Sequence, residues 1–257
     1  MIKTIEDWNE APLDVALSSG SAVSAALDWE RMLFRDDDAD WPGPILKRKL
    51  GGGPELKAFA EEDRAALTEK LGVYCRLQSM HSEDAVTWNW FGPLITADEQ
   101  ARAASLNWLI DTAADDTFVP PSDHVVIDMW RRIPDAIGAG GGRPELDVFL
   151  VSDKAVVLGE AKWRAGQDVD QGVAKNETQM EKRRQWLLKF APTEHAGCAR
   201  LLLGLYRGKP VEETLSRDDN GVLTRQLRWS KLAECPHHPR REEFARYLAW
   251  KDKHSQQ

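Results

Sequence analysis

The strongest constraint on this chain is a pair of apolar runs separated by only three polar residues. Leu146-Asp147-Val148-Phe149-Leu150-Val151 leads through Ser152-Asp153-Lys154 into Ala155-Val156-Val157-Leu158-Gly159-Glu160-Ala161-Lys162. Two apolar runs joined by so short a polar connection are most simply the strands and turn of a β-hairpin. Asp147 is an unusual side chain for the middle of such a strand. Glu160 and Lys162 close the second run, and their two-residue spacing places both on one face of a sheet. In a suitable register, Asp147 approaches Glu160 across the hairpin. Two crowded carboxylates in a low-dielectric setting demand either a raised pKa or a bound cation.

The remaining pattern places this hairpin in an α/β core. Ser82-Glu83-Asp84-Ala85 reads as a helix start, because serine caps and acids suit the positive end of the dipole. Pro93 is expected to interrupt that helix, and the helical pattern resumes over Ala97 to Leu109. His124 to Trp130 reads as a strand. After the hairpin, Glu177 to Phe190 has helical spacing, with Met180, Trp186, Leu187 and Phe190 available for burial. Ala199 to Tyr206 is apolar almost throughout, as suits a strand covered on both faces. A strand around Val222 to Trp229 and a helix from Glu242 to Trp250 complete the chain. From residue 82 the order is helix, three strands, helix, strand.

The first third is less patterned. A helix is expected over Ser21 to Phe34, with Trp29, Met32 and Leu33 on one side, and another over Glu55 to Leu71. Asp36 to Pro44 and Gly51-Gly52-Gly53-Pro54 act as breakers. The expected division is a mostly helical extension over 1–75 and a core domain over 76–257.

Composition narrows the class. At 257 residues, 42% hydrophobic and 30% charged, the chain suits an ordered globular protein. No apolar run approaches a membrane span, and the N-terminus does not resemble a signal peptide. Three widely spaced cysteines, Cys75, Cys198 and Cys235, fit a reducing compartment better than a disulfide framework. The expectation is a cytoplasmic protein with no membrane partner. A net charge of −8 lowers the prior for a general polyanion coat, but an acidic chain can still carry local cationic contacts. Most of the 11 tryptophans are expected in the core, with Trp163 a candidate for base stacking.

Other candidate sites are weaker. Cys235-Pro236-His237-His238 lacks a second Cys/His pair at zinc spacing and reads as a polar loop. Gly51 to Gly53 and Gly138 to Gly142 lack the lysine and hydroxyl residue of a phosphate-binding loop. Lys182-Arg183-Arg184, with Lys175, Lys189 and Arg164 nearby, is either a phosphate-contacting face or a solvated helix face balanced by Glu177 and Glu181.

Pro144-Glu145-Leu146-Asp147, followed by the strand ending Glu160-Ala161-Lys162, resembles the PD-(D/E)XK motif of the restriction-endonuclease-like nuclease superfamily. The αβββαβ order over residues 82 to 206, about half the chain, resembles that superfamily's core, a central mixed sheet flanked by helices. The resemblance implies a metal-dependent nuclease hydrolysing phosphodiester bonds, with DNA the favoured nucleic acid and a homodimer left open. It implies Mg²⁺, with Mn²⁺ as a substitute, held by Asp147, Glu160 and the carbonyl of Ala161, while Lys162 positions water. Glu83, beside Asp84, stands where members often add an acid. Gln179 matches a glutamine found in some branches, although Arg183 stands where those branches often carry tyrosine. The alternative is a catalytically inactive nucleic-acid- or protein-binding module on the same fold.

Overall fold

The computed structural model describes residues 2–17, 23–35, 41–52, 76–132, 145–163, 183–189, 191–208 and 220–255. The chain is mixed α/β and divides into two compact units. Met1–Thr96 joins Arg240–Gln257 in one, and Ala97–Pro239 forms the other. The boundary expected at residue 75 falls outside the described residues, as do the helix expected over Glu55 to Leu71 and the Gly138 to Gly142 loop. Among the described residues no helix is long and apolar enough to cross a membrane.

In the first unit β1 (Ile2–Glu6), β2 (Pro12–Leu17) and β3 (Val23–Ala26) form an antiparallel sheet in sequence order. This corrects the helix expected over Ser21 to Phe34: among its described residues only Glu30–Met32 is helical, as a 3₁₀ turn. Leu13 and Val15 alternate inward along β2, and pairing with β2 buries Val23, Ala25 and Ala26. A weak helical pattern yields to that long-range burial. Asp7 shapes the β1–β2 turn by accepting from the backbone N–H groups of Asn9 at 2.8 Å and Ala11 at 3.0 Å.

Helix Asp84–Thr96 is buried over nearly its whole length, which explains why no single apolar face stands out. Ser82 Oγ accepts from the Asp84 N–H at 3.1 Å. The interruption expected at Pro93 does not occur, and the helix runs through it to Thr96. A proline this close to a helix end removes one backbone bond without requiring the chain to turn. The C-terminal helix Arg241–Ser255 brings Tyr247 and Trp250 against Trp8, with ring centroids 4.9 and 5.3 Å away.

The second unit holds the five-stranded sheet: β4 (Val125–Arg132), β5 (Glu145–Ser152), β6 (Ala155–Lys162), β7 (Ala199–Tyr206) and β8 (Val222–Arg228), in that spatial order. The β4–β5 and β5–β6 pairs are antiparallel, whereas β6–β7 and β7–β8 are parallel, so the sheet is mixed. Helix Glu99–Ala114, capped by the Asp98 side chain on Ala101 N–H at 2.8 Å, packs against β4 and β8. A helix at residues 183–189 brings Trp186 and Leu187 onto Phe149, Val156, Leu158, Leu202 and Val222. The expected hairpin is present, its turn held by Ser152 Oγ accepting from Lys154 N–H at 3.1 Å and Ala155 N–H at 2.9 Å.

Candidate functional site

The hairpin register decides where the acids go. Val148 pairs with Gly159, and continuing that antiparallel count by one residue sets Asp147 opposite Glu160. The strands are very close here: a Cβ on Gly159 would lie 2.8 Å from Val148 Cβ. Beyond this point the backbone ladder gives way to a side chain, and Ala161 N–H donates to Asp147 Oδ2 at 2.8 Å. A strand residue's N–H and C=O leave toward the same edge, so the Ala161 carbonyl also faces the β5 side. On β7 the residue level with Glu160 is Gly204, which adds no side chain between the strands.

Two cations meet Glu160. Lys162 Nζ lies 2.7 Å from Oε1, as expected for residues on one face of β6. Arg183 Nη2 lies 2.6 Å from Oε2 and also donates to the Glu145 carbonyl at 2.8 Å. Arg183 and Glu160 are only 2% and 3% exposed, whereas Lys162 is 22% exposed and Asp147 is half-buried. Arg183 is therefore neither the phosphate-contacting nor the solvated residue expected of the Lys182-Arg183-Arg184 run. Arg184 leaves the same helix to donate to Thr224 Oγ1 at 3.1 Å.

The two carboxyls titrate oppositely. Burial, with the Asp147 charge second, pushes the Glu160 carboxyl up to about 7 against the pull of Arg183 and Lys162. Burial also works to raise Asp147. The Lys162 and Arg183 charges, the Ala161 N–H and a hydrogen bond with Glu160 together outweigh it and hold Asp147 below the usual range. Two full negative charges about 5 Å apart repel by roughly 3 kcal/mol at an effective dielectric of about 20, so the second ionisation is resisted. Asp147 keeps the charge and Glu160 keeps the proton more readily.

Trp130 occupies the β4 position level with Asp147, between the pairs Met129–Val148 and Arg131–Leu146. Its φ of 55° lies in the left-handed region, a strained choice for tryptophan that costs on the order of 1–3 kcal/mol. Trp163 is 2% exposed with the Arg207 guanidinium 5.3 Å from its ring centroid, so the base-stacking role expected of it does not fit its burial. Cys235 to His238 is a loop, as expected, with Cys235 and His238 buried in it and joined by a backbone turn.

The second unit thus gathers Asp147, Glu160, Ala161, Lys162 and Arg183. Glu83 belongs to the first unit, where its carbonyl accepts from Thr87 N–H at 2.9 Å, and its neighbour Asp84 pairs with Lys49 Nζ at 3.2 Å. Gln179 lies outside the described residues. Among the described residues no three His, Cys, Asp or Glu side chains form a metal-holding group. The two carboxyl groups that neighbour each other, Asp147 and Glu160, offer oxygen atoms, a donor type that suits a hard divalent cation.

Sequence reading missed what Arg183 does. Its signal was present, since Arg183, Trp186, Leu187 and Phe190 share one helical stripe, and a cation on an apolar stripe requires a buried partner. Compared with protein-family models, curated proteins and solved structures, the chain has no match.

Proposed function

We propose that this chain is a Mg²⁺-dependent nuclease hydrolysing phosphodiester bonds in nucleic acid, with DNA the favoured substrate, on a restriction-endonuclease-like core. The observation that carries the reading is the level placement of Asp147 and Glu160 across a hairpin, with Lys162 2.7 Å from Glu160 on the same face. Neighbouring acids in an apolar sheet are costly unless they serve a charge. Asp147, Glu160 and the Ala161 carbonyl would hold Mg²⁺ or Mn²⁺, which would offset charge developing on the phosphate. Lys162, partly exposed at the end of β6, would orient water and pair with a phosphate oxygen. Ala161 N–H holds the Asp147 carboxylate in position.

Asp147→Ala and Lys162→Ala should each lower metal-dependent cleavage by at least about a hundredfold without unfolding the chain. The assay compares linear, circular and single-stranded DNA, and RNA, with Mg²⁺ and with Mn²⁺. Wild-type protein that cuts none of them sinks the reading.

One observation favours a second reading, an inactive nucleic-acid- or protein-binding module. Both Glu160 oxygens already sit in ion pairs, with Lys162 and with Arg183. Calorimetric titration with Mn²⁺ separates the two, because a module would show no binding that depends on Asp147.

A further inference from the structure

We infer that Arg183 is a built-in counter-ion that competes with the divalent metal for Glu160, and so sets the metal affinity of the site. This rests on the metal-site reading above. A guanidinium 2% exposed is retained in a fold only with a partner of opposite charge. That partner is Glu160 Oε2 at 2.6 Å, and the second contact of the same nitrogen is the Glu145 carbonyl at 2.8 Å. Both contacts are made from a helix whose Trp186 and Leu187 are packed into the core, so Arg183 cannot swing away freely.

Lys162 differs in this respect. It is 22% exposed on a flexible stem, and it can leave Glu160 Oε1 for water or phosphate at small cost. With Asp147 and Glu160 ionised, their two negative charges are matched by the two positive charges of Lys162 and Arg183. A divalent ion entering this set meets a buried cation that already occupies one of its ligand oxygens. Like charges in a poorly solvated site repel strongly, so metal binding must either displace Arg183 from Oε2 or bear that repulsion. The site is thereby biased toward weak metal binding in the free protein. A phosphate group, which adds negative charge, would shift the balance toward the metal-loaded state.

The test is calorimetric titration of Mn²⁺ into the full chain, in the absence of nucleic acid. Arg183→Gln should bind Mn²⁺ at least about tenfold more tightly than wild type, because the competing charge is gone. Arg183→Lys keeps the charge and should stay within about threefold of wild type. Wild-type protein supplies an independent measurement: the ¹⁵N NMR signal of the Arg183 guanidinium should shift when Mg²⁺ is added, even if Arg183→Gln fails to fold. Unchanged or weaker Mn²⁺ binding by folded Arg183→Gln, or an unmoved guanidinium signal in metal-saturated wild type, overturns the inference and leaves the metal site standing. No metal binding by wild type or by either variant overturns the inference and the metal reading together.

Discussion

At the residue scale, the centre turns on one raised and one lowered carboxyl. Glu160 is pushed up to about 7, above its ordinary 4.5. Between those values the unfolded chain has released this proton and the folded chain has kept it. Folded protein therefore binds more protons than unfolded, and its stability from this group falls as pH rises through the window. The loss should reach at most about 3 kcal/mol, and Glu160→Gln should abolish that slope in urea unfolding measured from pH 4.5 to 8. Asp147 contributes in the opposite sense: its stability is present above the ordinary aspartate range and is lost as pH falls through its lowered pKa. If the site holds a divalent ion as proposed, Mn²⁺ affinity measured by calorimetry should strengthen as pH rises through about 7, because a carboxyl must be ionised to serve as a ligand. The two acids and Lys162 were legible from the letters and their alternation. Their opposite titration was not, because it depends on burial and on Arg183, which arrives from a distant helix.

At the element scale, the hairpin does most of the positioning. Gly159 permits the strands to approach so closely that Asp147 can bond to Ala161 N–H. Gly159→Ala would bring its Cβ within 2.8 Å of Val148 Cβ, forcing the strands apart and destabilising the protein by about 1–3 kcal/mol. Val148→Ala should not rescue it, since alanine keeps the clashing Cβ; chemical denaturation of the single and double variants tests both statements. Asp98→Ala should cost about 1 kcal/mol by removing the cap of helix Glu99–Ala114. That loss would appear as a lower urea midpoint with an unchanged slope. Strands β4 to β7 were readable because each carries a short apolar run bounded by polar or glycine-containing segments. β1 to β3 were not, since their runs are brief and are buried only through long-range contacts, with one another and with the last helix.

At the scale of the whole molecule, the chain is not divided in simple sequence order. The last helix belongs with the first strands: Trp250 Nε1 donates to the Glu6 carbonyl at 2.8 Å, and Tyr247 packs edge-on against Trp8. A chain ending at Pro239 should lose the packing of the first unit. Near-UV circular dichroism should then weaken and proteolysis within residues 2–52 should accelerate by about tenfold or more, as expected when a local core is opened. A truncated chain with full tryptophan signal and unchanged protease resistance would contradict that account.

The sequence by itself determined the mixed α/β class, the hairpin, and the shared face of Glu160 and Lys162, because strand alternation and a three-residue turn are local properties. Only the tertiary structure decided that the first residues form a sheet and that the last helix completes their core. It also decided that Arg183 ends against Glu160. Those outcomes depend on which apolar surfaces find each other over long separations. A buried charge settles only where such packing brings it a partner.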